Sequence, residues 1–305
     1  MQTTSYATWA GDVAGLCHAI AALEPLVGPL GAVDPRGADW HGQLFGKLAG
    51  QVAREPVLVA AVCGGTNTGK SLIANSLVGS SMSRSVPEAA RTVHPVVSLP
   101  AGHAATIDLT ELFPGFTPLA WTSDADALDA PESDRLLWRE DPTGRQPARL
   151  ILLDTPDIDG TLRENWHRAE LVRNACDVLV AVLTQQKYND AAVRDFFRAA
   201  AQARKSVIIV FNMVDWPRQR ERLAGWLATF TAETGIAPLA VYACPHDFVK
   251  AEVGRIDFFA VPELTGGTAS SGSEGPADLA AALAGADFDR LKREAMRGAL
   301  EVVLD

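Results

Sequence analysis

An open α/β fold, with a mostly parallel sheet between two layers of helices, is what this 305-residue sequence predicts. Two observations carry the prediction. From about residue 55 to about 262, short apolar runs rich in Val, Ile and Leu alternate with longer segments apolar at helical spacing. The first such run, from Pro56 to Cys63, leads into the turn Gly64-Gly65-Thr66-Asn67-Thr68-Gly69-Lys70-Ser71, which opens onto an apolar helical stretch beginning at Leu72 and closed by Gly79.

Taken in order, the predicted strands are 56–63, 94–99, 149–153, 177–183, 206–211 and 239–243, and the helices between them 70–78, 163–175, 189–203 and 217–234. Ahead of this domain, residues 1–54 carry two helical patterns, one with Val13, Leu16, Ile20, Leu23 and Leu26 on a face and one with Trp40, Leu44, Leu48 and Val52. After it, 263–276 reads as a flexible linker from its Gly and Ser content. Residues 277–305 return to a helical pattern with Phe288, Leu291, Met296, Leu300 and Val303. That pattern is still running at Asp305, which leaves open whether more chain follows. Residues 100–148 exceed what a minimal domain of this kind needs; with Phe113, Phe116, Trp121 and Trp138 they read as a local apolar cluster under a loop, the alternative being an added subdomain.

The formal net charge of −10 argues against general affinity for nucleic acid or anionic lipid, which needs basic surface. Cys17, Cys63, Cys176 and Cys244 are widely spaced, so neither a disulfide framework nor a metal cluster is expected. No run approaches the roughly 18 apolar residues of a membrane span, and the N-terminus has no export signal, so the expected location is cytoplasmic.

The turn at 64–71 fits G-x-x-x-x-G-K-[ST] in its required setting between a strand and a helix. Its glycines let backbone N–H groups from Gly64 to Leu72 curl around an anion, and the helix adds the positive end of its dipole. Lys70 is placed to reach β- and γ-phosphates, and the Ser71 hydroxyl to coordinate Mg²⁺. Three further stations follow strands. Asp154, in Asp154-Thr155-Pro156-Asp157, is placed to hold Mg²⁺. Asn212 and Asp215 are placed to meet a purine edge, where a carboxylate pairs with the guanine N–H donors but finds no such pair on adenine. Asp215 could equally cap the helix after it. Ala243 and Cys244 are small enough for backbone to approach the base. All these loops leave the carboxyl ends of strands, where open α/β sheets bind ligands.

The succession GGTNTGKS, Thr92 within Arg91-Thr92-Val93-His94-Pro95, DTPD, NMVD and YAC resembles the ordered elements of P-loop GTPases over about 54–262. Asn67, SLIANSLVG, RTVHPVV, LLDTPDIDG and CDVLVAVLTQQKYND are similar to the bacterial dynamin-like and Era-like branches. The resemblance implies a three-layer P-loop NTPase G domain with additional N- and C-terminal helices, working as a GTP-hydrolysing switch. It implies Lys70, Thr92 and Asn67 in catalysis, and Ser71, Thr92 and Asp154 on Mg²⁺. The base falls to Asn212 and Asp215. It further implies a homodimer through the nucleotide face, and a protein or membrane partner for the flanking helices, peripheral at the inner membrane. Asn67 is either a turn residue or a K⁺ ligand as in potassium-activated relatives.

This sequence departs from that family at three places. Asp157 stands where a glycine usually faces the γ-phosphate, Ile158 where a water-orienting glutamine would stand, and Met213 where a lysine usually packs on the base. Arg84 and Arg91 are candidate sources of further positive charge. Two other functions therefore stay open: a nucleotide-gated interaction module with little hydrolysis, and an ATP-dependent enzyme sharing the same loop. Gln185 to Tyr188 fall close to the phosphate edge as a contact for the Asp154 loop or for a partner.

Overall fold

The computed structural model describes residues 6–31, 33–38, 40–41, 44–45, 57–83, 93–122, 134–159, 163–265, 275–286, 290–294 and 297, without the side chains of 163–166 and 248. Its framework is a nine-stranded sheet made of β1 (Leu58–Gly64), β2 (Val96–Leu99), β3 (Thr117–Ala120), β4 (Arg135–Glu140), β5 (Leu150–Asp154), β6 (Val178–Leu183), β7 (Ser206–Val214), β8 (Ala240–Pro245) and β9 (Phe259–Ala260). The spatial order is β3-β4-β2-β5-β1-β6-β7-β8-β9. Neighbours run parallel except β2 against β5 and β9 against β8.

The central strands β1, β5 and β6 are buried at every residue, because helices cover both faces. Alternate residues serve opposite layers. Val59, Ala61 and Cys63 share a core with α4 (Arg163–Ala175), α5 (Ala191–Gln202) and α6 (Arg220–Thr234) through Val172, Phe197, Leu223 and Phe230. Leu58, Ala60 and Val62 face Ile73, Ala74 and Leu77 of α2 (Lys70–Val78), together with Leu279 and Leu283 of α7 (Leu279–Ala284). α2 ends where Gly79 takes φ 77° and its N–H reaches the Asn75 carbonyl, a left-handed cap that favours glycine.

Four expectations change in the folded chain. Residues 100–148 are no local cluster under a loop: β3 and β4 extend the main sheet beyond β2. Leu109, in α3 (Leu109–Leu112), joins the larger core with Phe113, Phe116 and Leu136. Strands this short carry little periodicity of their own and form because β2 offers a free edge. Secondly, β7 and β8 run on past 211 and 243, so Asn212 and Cys244 are strand residues. The ladder resumes at Val214–Pro245 across a register shift, with Met213 at φ 59°. Thirdly, α1 (Tyr6–Leu23) packs through Tyr6, Ala10, Val13 and Cys17 onto Leu44, leaving Leu16 and Leu23, with Leu26 beyond, exposed at 42%, 60% and 49%. The aromatic Tyr6, with Trp9 beside it, outweighs the leucine stripe in choosing the packed face. Fourthly, Asp215 does not cap the following helix, as the site geometry below shows. Leu48, Val52, Phe288, Met296, Leu300 and Val303 lie outside the described residues.

Residues 290–294 are anchored at the sheet edge opposite the glycine turn. Leu291 is buried in the α2-side core, and Lys292 forms a 2.5 Å ion pair with Asp177, the two side chains 3% and 1% exposed. Asp177 also accepts from the Val59 amide at 2.8 Å, tying this contact to the start of β1.

Candidate nucleotide-binding site

The turn 64–71 leaves the carboxyl end of β1 and wraps back on itself. A Cβ at Gly64 would collide with the Val182 carbonyl oxygen, so β6 permits only glycine there. The loop closes when the Thr68 hydroxyl donates to the Gly65 carbonyl at 2.9 Å and Lys70 Nζ donates to the same oxygen at 2.8 Å. Asn67 and Gly69 take left-handed φ values of 60° and 87°, which asparagine tolerates and glycine favours. Gly69 also backs onto the amide of Asn212, leaving no room for a side chain. Asn212 is buried and donates its Nδ2 to the Thr68 carbonyl at 2.8 Å, fixing the end of β7 against the loop.

Ser71 opens α2 and donates its hydroxyl to Asp154 Oδ2 at 2.7 Å. Asp154 is fully buried, and its Oδ1 has no hydrogen-bond partner among the described residues. Burial pushes this carboxyl above its ordinary range, opposed by the Ser71 and Ser83 hydroxyls and by the charge of Lys70. A buried carboxylate oxygen left unpartnered beside a serine hydroxyl is a hard-oxygen donor pair, and it fits Mg²⁺, which takes one or two protein oxygens plus phosphate and water. Among the described residues no group of three or more His, Cys, Asp or Glu is arranged to hold a metal, so the ion would rest on Ser71, Asp154 and its ligand. Thr92, the third expected ligand, lies outside the described residues, as do Arg84 and Arg91.

The turn after β5 is fastened to the glycine loop at three points. The Ile158 amide donates to the Gly64 carbonyl at 3.3 Å. Asp157 pairs with Lys70 Nζ at 2.5 Å, the side chains 14% and 6% exposed. Asp159 Oδ1 accepts from both the backbone amide and the hydroxyl of Thr66 at 2.6 Å, while its Oδ2 meets Lys187 Nζ at 2.6 Å. Burial works against the Asp159 charge, yet the bonds from Lys187 and Thr66 hold its carboxyl below the usual range, and the same bond raises Lys187. Asp159 escaped the sequence analysis; its nearest signal was the flagged segment Gln185–Tyr188, whose Lys187 turns out to meet it.

On the base side the residues are spread. Asp215 is exposed, 3.7 Å from Arg218, and Gln219 precedes the following helix, so the alternative of Asp215 as its cap is not seen. Met213 is 44% exposed, open for apolar contact. Ala243 and Cys244 are buried, and burial pushes the Cys244 thiol far above its ordinary range, which leaves it inert. Leu72 is half-buried against the α2-side core.

The sequence pattern of the 50S ribosome-binding GTPases matches residues 59–213, from β1 through the loop to Met213. The chain belongs to that family. Its fold, a mostly parallel sheet with Lys70 and Ser71 at the mouth of α2, is that of a P-loop GTPase. No curated protein matches the chain. Solved structures similar to it include Era in complex with MgGDPNP and nucleotides of 16S ribosomal RNA, at 15% identity and TM-score 0.39, over 61% of this chain and 51% of that one. A member of an oligomerised bacterial dynamin pair is similar at 12% identity and TM-score 0.48, over 100% and 55%. Toc33 from Arabidopsis thaliana, with Mg²⁺ and GMPPNP, is similar at 16% identity and TM-score 0.33, over 65% and 69%. The chain thus spans about half the length of the Era and dynamin structures.

Proposed function

We propose that this GTPase-family chain binds Mg²⁺ and a guanine nucleotide between the 64–71 loop and the 212–215 segment, and hydrolyses GTP slowly as a conformational switch. The observation that carries the reading is the Ser71–Asp154 pair, whose Oδ1 has no partner among the described residues, next to Lys70 at a helix N-terminus. Lys70 and the loop amides neutralise charge on the transferring phosphoryl group. The loop fixes its orientation, and Asn212 transmits base-side contacts to the phosphate loop through Thr68. Mg²⁺ would supply Lewis-acid charge neutralisation at Ser71 and Asp154.

A slow rate follows from Ile158. Its side chain is buried in the core, and it has no polar atom with which to orient a water. A water-positioning group must then come from elsewhere: a K⁺ held at Asn67, or a second copy meeting the nucleotide face. A dynamin-like arrangement of that kind would leave the exposed Leu16, Leu23 and Leu26 for a protein or membrane partner, with a cytoplasmic, peripheral location.

Titration of GTP, GDP and ATP with and without Mg²⁺ is the test. GTP and GDP are expected to bind with Mg²⁺ dependence and ATP weakly. Lys70→Ala is expected to abolish most affinity, and Asp215→Ala to erode guanine preference with phosphate contacts kept. Comparable ATP affinity would refute the guanine assignment. Steady-state phosphate release should rise with protein concentration or with K⁺ in place of Na⁺. Release no faster than buffer in every condition would leave the second reading, a nucleotide-gated interaction module, which the Asp157–Lys70 pair also favours.

A further inference from the structure

Two of the loop residues that a phosphate would engage already meet the protein's own carboxylates. Lys70 Nζ is held by Asp157, and the Thr66 amide and hydroxyl by Asp159. Both acids flank Ile158, so one short turn lays two carboxylates into the anion cradle and stands in for phosphate oxygens. The two are not equivalent. Asp159 shares its charge with Lys187, so its withdrawal would leave a neutral pair intact. Asp157 has Lys70 as its ion-pair partner, and Lys70 is the cation the loop itself supplies for an incoming anion.

We propose that Asp157 is an internal competitor for Lys70 and sets the preference of this site for a nucleoside diphosphate over a triphosphate. This rests on the guanine-nucleotide reading above. The lysine of such a loop reaches β- and γ-phosphates together. A diphosphate can engage Lys70 while Asp157 keeps part of its contact, because the space beyond the β-phosphate stays free of added charge. A triphosphate brings further negative charge to the same amine and must displace Asp157, whose carboxylate is then close to a like charge with no cation between them. Replacement of that charge by a neutral isostere therefore helps the triphosphate far more than the diphosphate. Displacement of Asp157 also strains the Ile158 and Asp159 attachments of the same turn, so the acid couples triphosphate entry to displacement of residues 157–159.

Equilibrium binding of fluorescent GDP and of a fluorescent non-hydrolysable GTP analogue to the full chain in Mg²⁺ decides the matter. Asp157→Asn is expected to tighten the triphosphate analogue about tenfold, or about 1.4 kcal/mol, and GDP less than about threefold. Asp157→Gly, which removes the side chain altogether, is expected to shift the ratio in the same direction, and guards against an effect of the new amide. An equal change for both ligands in both variants, or weaker triphosphate binding, would overturn the competitor role and leave the guanine-nucleotide reading standing. Saturable binding of neither nucleotide by wild-type chain would overturn that reading and this role together. A purely structural Asp157 would shift the unfolding temperature without moving the ratio.

Discussion

Asp154→Asn pits the function of the site against its stability. The carboxylate is fully buried, with one oxygen taken by Ser71 and the other unpartnered among the described residues, and Asp157 adds a like charge nearby. A buried ion costs several kcal/mol unless compensated. One charge-assisted hydrogen bond returns roughly 1.5–3 kcal/mol, and the field of Lys70 returns part of the rest. An asparagine keeps an acceptor for Ser71 and replaces the orphaned charge by an orphaned amide, which is cheaper to bury. The substitution should therefore stabilise the metal-free chain by about 1–2 kcal/mol. With an unfolding entropy of roughly 2 cal/mol/K per residue, that raises Tm by about 2–3 °C in EDTA. Saturation should reverse the order: at one hundred times Kd, MgGDP adds about 2.7 kcal/mol to wild type, and the variant should gain less than half of that. Differential scanning fluorimetry in both buffers reads the crossover. A lower Tm for Asp154→Asn in EDTA would show that the carboxylate is satisfied without a cation and would refute the reasoning.

Gly69→Ala should disable the loop, because the residue sits at φ 87° and a Cβ would displace the Asn212 amide. Loss of roughly 2–3 kcal/mol in urea unfolding and at least tenfold weaker GDP binding are expected; unchanged binding would contradict it. Lys292→Met strips the buried Asp177 of its counter-ion and should cost about 3 kcal/mol, while adding Asp177→Asn should recover most of it; additive losses would show the pair to be uncoupled. Asp141 is partly desolvated, but amides of Gln146, Thr143 and Arg145 hold its carboxyl below the usual value. A lowered folded pKa means stability present above about pH 4 and lost as pH falls through the folded value. Asp141→Asn should thus flatten the acid limb of the stability curve between about pH 5 and pH 2, and an unchanged limb would count against this.

The phosphate loop was legible because its chemistry is local. Gly64, Gly69, Lys70 and Ser71 are fixed by what a strand, a tight turn and a helix start demand of adjacent residues, and helices 70–78 and 163–175 fall at the expected bounds. Central strands were equally plain, since burial on both faces leaves an unbroken apolar run. Tertiary structure decided what depends on distant partners. β3 and β4 exist because β2 has a free edge, α1 turned on Tyr6 rather than its leucines, and Lys292 found Asp177 across the fold. Above all, nothing local says that Asp157 and Asp159 take the donors of Lys70 and Thr66: side chains separated by 87 and 93 positions meet only once β1 and β5 pair. Propensity and spacing act over a few residues, whereas charge and hydrogen-bond pairing act wherever the sheet brings groups together.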